Sequence, residues 1–282
     1  MAKKVDKYLG KKMSRSEPPN FSGQHLMHNK RLINEIVNKS QVSKQDLVLE
    51  LGAGEGALTT ILSEKARKVL AVEYDEKFVD KLEQMIFPAN NIKIIHNDIL
   101  RISLPKEPFI VFSNIPYAIT TNIMKMLLNN PNNKLERAFI VMEKGASKRF
   151  TASIVRDSYV MAWRMWFDLK VERSISRECF SPPPKVDSAL LSIRRKKSPL
   201  VPYRNKNALH LLLSFGLKYP NAPIEQILKS IFTAPQAKKA RQAIKCDPEK
   251  TVKSLSAQQW AILTETLMRY VPRNKWPKQR KK

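Results

Sequence analysis

The chain has 282 residues and is 43% hydrophobic, long enough for one large domain or a medium domain plus a small one, and too apolar for global disorder. Its 51 Lys and Arg stand against 25 Asp and Glu, a formal charge of +26; an acidic small molecule has no use for such a field, which points to nucleic acid and is silent about fold. Two cysteines, Cys179 and Cys246, exclude a disulfide scaffold and an iron–sulfur cluster, and there is neither an apolar run of about 18 residues nor a signal-peptide pattern.

In chain order, residues 1–16 carry Lys3, Lys4, Lys7, Lys11, Lys12 and Arg15 against a single Asp6, and read as a mobile basic arm. His25 and His28 form an H-x-x-H pair with no further ligand nearby, so no metal site is expected. Residues 47–51 (LVLEL) have the length and composition of a buried strand, and Gly52, Gly54 and Gly56 end it. Ala57, Leu58, Ile61, Leu62 and Ala66 follow at helical spacing. Residues 69–72 predict a second strand, stopped by Glu73. Phe78, Val79, Leu82 and Met85 predict another amphipathic helix. Further strands are expected at 92–95, 109–112, 138–142 and 186–193. Strands alternating with helices imply a mainly parallel sheet covered on both faces, a doubly wound α/β domain. Trp163 and Trp166 lie in an apolar stretch and read as core.

The pattern changes near Arg194. A basic, proline-punctuated segment (RRKKSPLVPYRNKN) reads as a linker, and beyond it apolar positions recur only at helical spacing, from Leu209 through Leu228 and Trp260 to Leu267. The expected organisation is a basic arm at 1–16, an α/β domain at 17–197, a small α-helical domain at 198–270 and a basic tail at 271–282. Each tail alone reads equally well as a solubilising end. Two of them on so basic a chain favour RNA binding.

The chemistry concentrates on one sheet edge. The glycine loop Glu50–Leu58 has G-x-G-x-G spacing and lets a ligand approach the backbone at the carboxyl ends of the strands. Glu73 ends the next strand, where an acid accepts ribose hydroxyls, and Asp98 follows the third. Acids at strand ends also serve as turn formers, but three polar groups in register favour an adenosine-containing cofactor. The fourth strand ends in Asn114-Ile115-Pro116-Tyr117. This is either a capped, proline-terminated strand or a device in which the Asn114 side chain and the Ile115 carbonyl accept the two hydrogens of an exocyclic base amine while Tyr117 stacks on the base. Such a base must leave its helix or come from a single-stranded loop. Lys144, Lys148 and Arg149 are placed to hold RNA phosphates, or form a solvated helix face.

The ELGAGEG loop, the later acid and NIPY resemble Rossmann-like S-adenosyl-L-methionine-dependent methyltransferases that modify adenine N6. FSGQHL at 21–26, ECFSPPPKVDSALLSIRR at 178–195 and the helical tail narrow this to Erm-type 23S rRNA adenine N6-dimethyltransferases, the macrolide–lincosamide–streptogramin B resistance family. The resemblance implies a Rossmann-like domain with a small C-terminal helical domain. It places Gln24, His25 and Leu26 on the methionine side of S-adenosyl-L-methionine, Gly52 and Ala53 against its amino-acid part, Glu73 on the ribose, and Asp98 and Ile99 at the adenine. Asn114 would bridge cofactor and target base, and Tyr117 and Phe180 would sandwich the target adenine. Where the family often has Asn-Phe or Asn-Ile, this chain has Gln24-His25. The implied partner is 23S rRNA, met before the ribosome is fully assembled, by a cytoplasmic monomer with no role at DNA or membranes. Two rivals stay open: the small-subunit 16S rRNA dimethyltransferase, whose motif typically reads NLPY, and a non-catalytic RNA-binding protein on the same fold.

Overall fold

The computed structural model describes residues 25–86 and 90–277. Gln24, residues 1–16 of the expected arm and residues 278–282 of the expected tail lie outside them. The elements in order are β1 (Leu26–Met27), α1 (Lys30–Ser40), β2 (Leu47–Leu51), α2 (Ala57–Lys65), β3 (Lys68–Glu73), α3 (Glu76–Ile86), β4 (Ile92–His96), β5 (Phe109–Asn114) and α4 (Thr120–Leu128). Then come β6 (Leu135–Glu143), α5 (Lys144–Thr151), α6 (Ser158–Trp163), β7 (Phe167–Ile175), β8 (Phe180–Ser181) and β9 (Ser188–Arg195). Four helices close the described chain: α7 (Lys206–Gly216), α8 (Ile224–Ile231), α9 (Ala234–Ile244) and α10 (Ala257–Tyr270).

Seven strands form one sheet in the order β4-β3-β2-β5-β6-β9-β7. The first five run parallel, and β9 pairs antiparallel with both β6 and β7. The central strands β2 and β5 are apolar at nearly every position because both faces are covered. In β2, Leu47, Leu49 and Leu51 point to the core shared with α4, α6 and the C-terminal helices, while Val48 points to the core under α1 and α2. Period-two alternation therefore sends Glu50 to the α1–α2 face, where it is fully buried. Because β2 pairs with β3 on one side and β5 on the other, the winding direction reverses between β2 and β5. Doubly wound sheets bind ligands in the crevice at such a switch point.

Three strands lie outside the expected set. β1 and β8 are a two-residue antiparallel pair, Leu26 opposite Ser181 and Met27 opposite Phe180, too short to leave a periodic signal. β7 alternates Asp168, Lys170 and Glu172 with Phe167, Leu169 and Val171, the period-two pattern of an edge strand, and was not among the expected strands. The strand expected at 186–193 begins two residues later, at Ser188, leaving Val186 and Asp187 outside the sheet.

The basic segment expected as a linker is instead tied down. Arg194 and Arg195 belong to β9, and Arg195 donates to the carbonyls of Pro131, Asn133 and Leu135 at 2.6–2.9 Å. Lys196 and Leu200 donate their N–H groups to the carbonyls of Trp166 and Met165, both at 2.8 Å. The buried Trp166 indole needs an acceptor and finds it in the Val201 carbonyl, 2.8 Å away. One apolar core thus runs from β2 through Trp163, Trp166 and Val201 to Trp260 on α10. Both Trp163 and Trp166 are core, as their apolar setting implies. α10 opens with a capping box in which Ser256 accepts from Gln259 N–H and Gln259 accepts from Ser256 N–H. Among the described residues no helix is long and apolar enough to cross a membrane.

Candidate active site

A cleft with an empty volume of about 670 Å³, open solvent included, lies at the carboxyl ends of β2, β3, β4 and β5. His25, Leu26, Gly52, Glu73, Asp98, Ile99, Asn114, Ile115 and Tyr117 all line it. Gly52, Glu73, Asp98, Ile99, Asn114, Ile115 and Tyr117 meet because each ends or follows a strand at the same sheet edge, whereas His25 precedes and Leu26 opens β1, which lies outside that sheet. Gly54 of the glycine loop and Pro116 of the N-I-P-Y turn line the cleft too, as do Tyr74 and Ile119, which were not expected. Tyr74 directly follows Glu73 and Ile119 lies two residues past Tyr117, which is the only signal the chain offers for them.

The glycine loop is shaped by backbone needs. Gly52 and Gly54 have φ of 77° and 54°, the left-handed region that side chains resist. A Cβ on Gly54 would meet Leu26 Cδ2 at 2.8 Å, whereas one on Gly52 would find nothing nearer than Ile99 Cδ1 at 3.7 Å. The wall at Gly52 is therefore open to a ligand, and that at Gly54 is closed by packing. Ala53, expected against a cofactor, is off the cleft. Its N–H donates to the Val72 carbonyl at 3.0 Å and its methyl joins the core, because the flanking left-handed glycines turn it inward.

Glu73 is 4% exposed and accepts three backbone N–H groups. Gly54 donates to Oε2 at 2.7 Å, and Tyr74 and Asp75 donate to Oε1 at 2.8 and 2.9 Å. A carboxylate has roughly four acceptor positions, so Oε2 keeps capacity for a hydroxyl from the cleft. Asp98 caps the single helical turn that follows it, with Leu100 N–H donating to Oδ1 at 2.9 Å, while Oδ2 lies 3.7 Å from Arg101. Ile99 gives the cleft an apolar wall. Two strand-end acids, an open glycine wall and an apolar floor fit a nucleoside carrying a positive charge.

Glu50 sits directly behind this wall. Thr59 Oγ1 donates to its Oε2 at 2.7 Å, and Oε1 has no partner among the described residues. Burial, with Glu73's charge adding and the Thr59 hydrogen bond opposing, pushes its pKa up to about 8. Near neutral pH Glu50 is therefore held as a neutral acid behind the cleft wall.

On the other side of the cleft, Asn114 Nδ2 donates to the His25 carbonyl at 2.7 Å. A carbonyl can only accept, so this contact fixes the amide orientation and leaves Oδ1 as a free-standing acceptor. His25 is itself pinned: its Nδ1 donates to the Pro182 carbonyl at 2.7 Å, and its ring lies 5.7 Å from the Tyr117 ring. Ile115 N–H is taken by the Val141 carbonyl. The Tyr117 hydroxyl shares a 2.6 Å hydrogen bond with Ser188 Oγ. Burial, aided by the nearby Glu143 charge and opposed by the Ser188 hydrogen bond, raises its pKa, so Tyr117 presents a neutral ring.

Phe180 departs from expectation. It does not face Tyr117 across the cleft; its ring is 1% exposed and packed in the core with Met27 and Ile33. Pairing with β1 sets Phe180 opposite Met27, and an apolar ring gains more by core burial than at a wet rim. The ring that faces Tyr117 is that of His25. The expected phosphate contacts also divide. Lys144 and Lys148 line an open hollow beside the cleft, joined by Arg177 and Lys185, which were not expected. Arg149 instead donates to Thr121 Oγ1 at 2.8 Å and lies over the Phe150 ring.

A doubly wound sheet with an acid-lined cleft at its switch point and an N-I-P-Y turn on the rim defines a Rossmann-like methyltransferase. Residues 19–269 match the model of the ribosomal RNA adenine dimethylase family. An rRNA adenine N-6-methyltransferase from Bacillus licheniformis is 56% identical over the whole of this chain and 98% of its own length. A ribosomal RNA small subunit methyltransferase A from Clostridium acetobutylicum is 26% identical over 88% of this chain and 92% of its own. The crystal structure of the 23S rRNA methyltransferase ErmE superposes with a TM-score of 0.77 at 25% identity, covering 86% of this chain and all of ErmE. The chain belongs to the ribosomal RNA adenine dimethylase family.

Proposed function

We propose that the protein transfers methyl groups to N6 of one adenine in 23S rRNA, and so confers resistance to macrolide, lincosamide and streptogramin B antibiotics. S-adenosyl-L-methionine is the donor, supplying a methyl group already activated by its sulfonium. Glu73 holds the ribose hydroxyls, Asp98 and Ile99 hold the adenine end, and Gly52, His25 and Leu26 flank the methionine end. Asn114 Oδ1 and the Ile115 carbonyl accept the two hydrogens of the target amine while Tyr117 stacks on the base. An adenine amine is a poor nucleophile because its lone pair is delocalised into the ring. Two acceptors held in place favour a pyramidal nitrogen with its lone pair aimed at the methyl group, and such positioning is worth on the order of 7–11 kcal/mol in model reactions. The methylated nitrogen is acidic enough to lose its proton to water, so no strong base is required.

The observation that carries this reading is the fixed amide of Asn114, whose oxygen is left for the cleft by the His25 carbonyl. The similarity to ErmE over 86% of the chain favours 23S over 16S rRNA. Lys144 and Lys148, with Arg177 and Lys185, provide phosphate contacts beside the cleft, and Arg149 lies farther along the same helix. The helical region adds to RNA affinity through Lys239 and Arg269, which flank the Tyr270 ring. The deciding experiment incubates purified protein and labelled cofactor with 23S and 16S rRNA separately and maps methylated adenosines by mass spectrometry. Methyl transfer confined to 16S rRNA moves the enzyme to the small subunit. Absence of transfer to either, together with absence of cofactor binding, makes it a non-catalytic RNA-binding protein.

A further inference from the structure

Between the buried Pro184 and the fully buried Ser188, three residues project into solvent: Lys185, Val186 and Asp187. The projection is stiff. Pro182, Pro183 and Pro184 restrict the chain entering it, and Lys144 N–H donates to the Asp187 carbonyl at 3.0 Å on the way out. Lys144 Nζ also lies 3.6 Å from the Asp187 carboxylate. Val186 in the middle is 45% exposed, and it is the one apolar side chain among the described residues that lines the hollow beside the cleft. Its β-branch leaves it few rotamers, so it is as rigid as the backbone beneath it.

The surroundings of this valine are those of an RNA strand. Four cations, Lys144, Lys148, Arg177 and Lys185, line the hollow against Glu143 and Asp187. Two residues after Val186, Ser188 bonds the Tyr117 hydroxyl at 2.6 Å, so the valine lies at most about 7 Å along the chain from the group that fixes the base-stacking ring. Glu143, which lines the hollow, is close enough for its charge to act on Tyr117. A rigid aliphatic tip in a cationic hollow next to a base pocket has a physical use. When a base swings out of its stack, the gap exposes the apolar faces of its two neighbours, and side chains such as Leu, Ile, Met, Phe and Pro fill such gaps in proteins that unstack nucleic acids.

We propose that Val186 is a wedge that enters the RNA stack where the target adenine leaves it, with Lys185 and Lys144 holding the flanking phosphates. The inference rests on adenine methylation as the activity and names how the base is delivered. Val186 is a positioning residue: it touches the neighbours of the substrate base, not the reacting atoms.

The test compares two short hairpin RNAs, one with the target adenine paired within the stem and one with the same adenine left as an unpaired bulge. Val186→Ala removes no core packing. It is expected to lower kcat/KM at least tenfold on the paired RNA and less than twofold on the bulged RNA, with Val186→Ile restoring the rate. Met268→Ala, another exposed apolar residue but on α10, leaves both rates unchanged. With 2-aminopurine at the target position, the fluorescence rise on binding the paired RNA is expected to disappear in Val186→Ala and to persist on the bulged RNA. Equal loss on both RNAs, or no loss on either, overturns the wedge. The fluorescence reads base extrusion without methyl transfer, so failure of wild-type protein to methylate either RNA counts against the activity while the wedge is still decided.

Discussion

The two walls of the cleft are built on opposite plans. On the cofactor wall, polar groups are already satisfied from within: Glu73 accepts three backbone N–H groups, Asp98 caps a helical turn, and Gly52 N–H is bonded to the Val72 carbonyl. On the base wall and in the hollow beside it, groups are left open toward solvent. Asn114 has a free oxygen, Val186 is exposed, and Lys148, Arg177 and Lys185 have no carboxylate within ion-pairing distance among the described residues. A small ligand is selected by shape and rigidity, which favours a wall fixed before binding. A polyanion is attracted over distance and can shape its own contacts, which favours uncommitted charge.

The sharpest way to break this contrast is Asn114→Ala. It removes the acceptor aimed at the target amine and frees the His25 carbonyl, and a loss of roughly 100- to 1000-fold in kcat is expected by analogy with other positioned hydrogen-bonding groups. RNA affinity, measured by filter binding, should change little. If RNA binding fell in step with the rate, the open wall would not be separable into chemistry and attraction.

Glu73→Ala attacks the pre-satisfied wall. Charge-assisted hydrogen bonds are worth about 1.5–3 kcal/mol each, so calorimetry should show S-adenosyl-L-methionine bound roughly 10- to 100-fold more weakly. Because the same carboxylate holds the Gly54, Tyr74 and Asp75 N–H groups, the melting temperature should fall as well. Weakened binding with an unchanged melting temperature would mean the wall is not pre-built.

The third prediction concerns the acid behind that wall. Glu50 has a folded-state pKa of about 8, above its ordinary carboxylate value, so the folded protein holds a proton that the unfolded chain releases. Its contribution to stability is complete below the ordinary carboxylate range and is lost as pH rises through about 8, at up to about 1.4 kcal/mol per pH unit. Melting curves from pH 6 to pH 9 should therefore decline for the wild type and flatten in Glu50→Gln. Parallel curves would show that Glu50 is ionised in the folded state.

The smallest effect is expected in the hollow. Replacing Lys148, Arg177 or Lys185 singly by Ala should leave cofactor affinity intact. The slope of log RNA affinity against log salt should fall by about 0.7 for each single-strand phosphate that is no longer neutralised. An unchanged slope for all three would mean that the hollow faces solvent in the complex.

The contrast was only half legible in the chain. Strand ends are readable because an apolar run must stop: Glu73 and Asn114 end two of them and Asp98 follows a third, so the sheet edge and its acids follow from the pattern. Tertiary burial is not readable in that way. Phe180 beside a proline run suits a stacking ring or a core residue equally, and only its pairing opposite Met27 decides for the core. Glu50 reads as one more strand residue, because its burial depends on α2 covering that face. The hollow escaped for a similar reason: Arg177 and Lys185 join Lys144 and Lys148 only when β8 and β9 bring the late segment back beside β6.

The indole of Trp166, bonded to the carbonyl of Val201, has a practical bearing on how the protein can be cut and recombined. A fragment ending at residue 197 would lose that acceptor and uncover the apolar surface around Trp163 that α7 covers. Such a fragment should express as aggregates, and a protease nick in 196–205 should leave the two pieces travelling together on a sizing column. Chimeras that exchange C-terminal helices between relatives therefore need their junction beyond α7, so that Val201 and the helix shielding the tryptophans come from the same parent as the sheet.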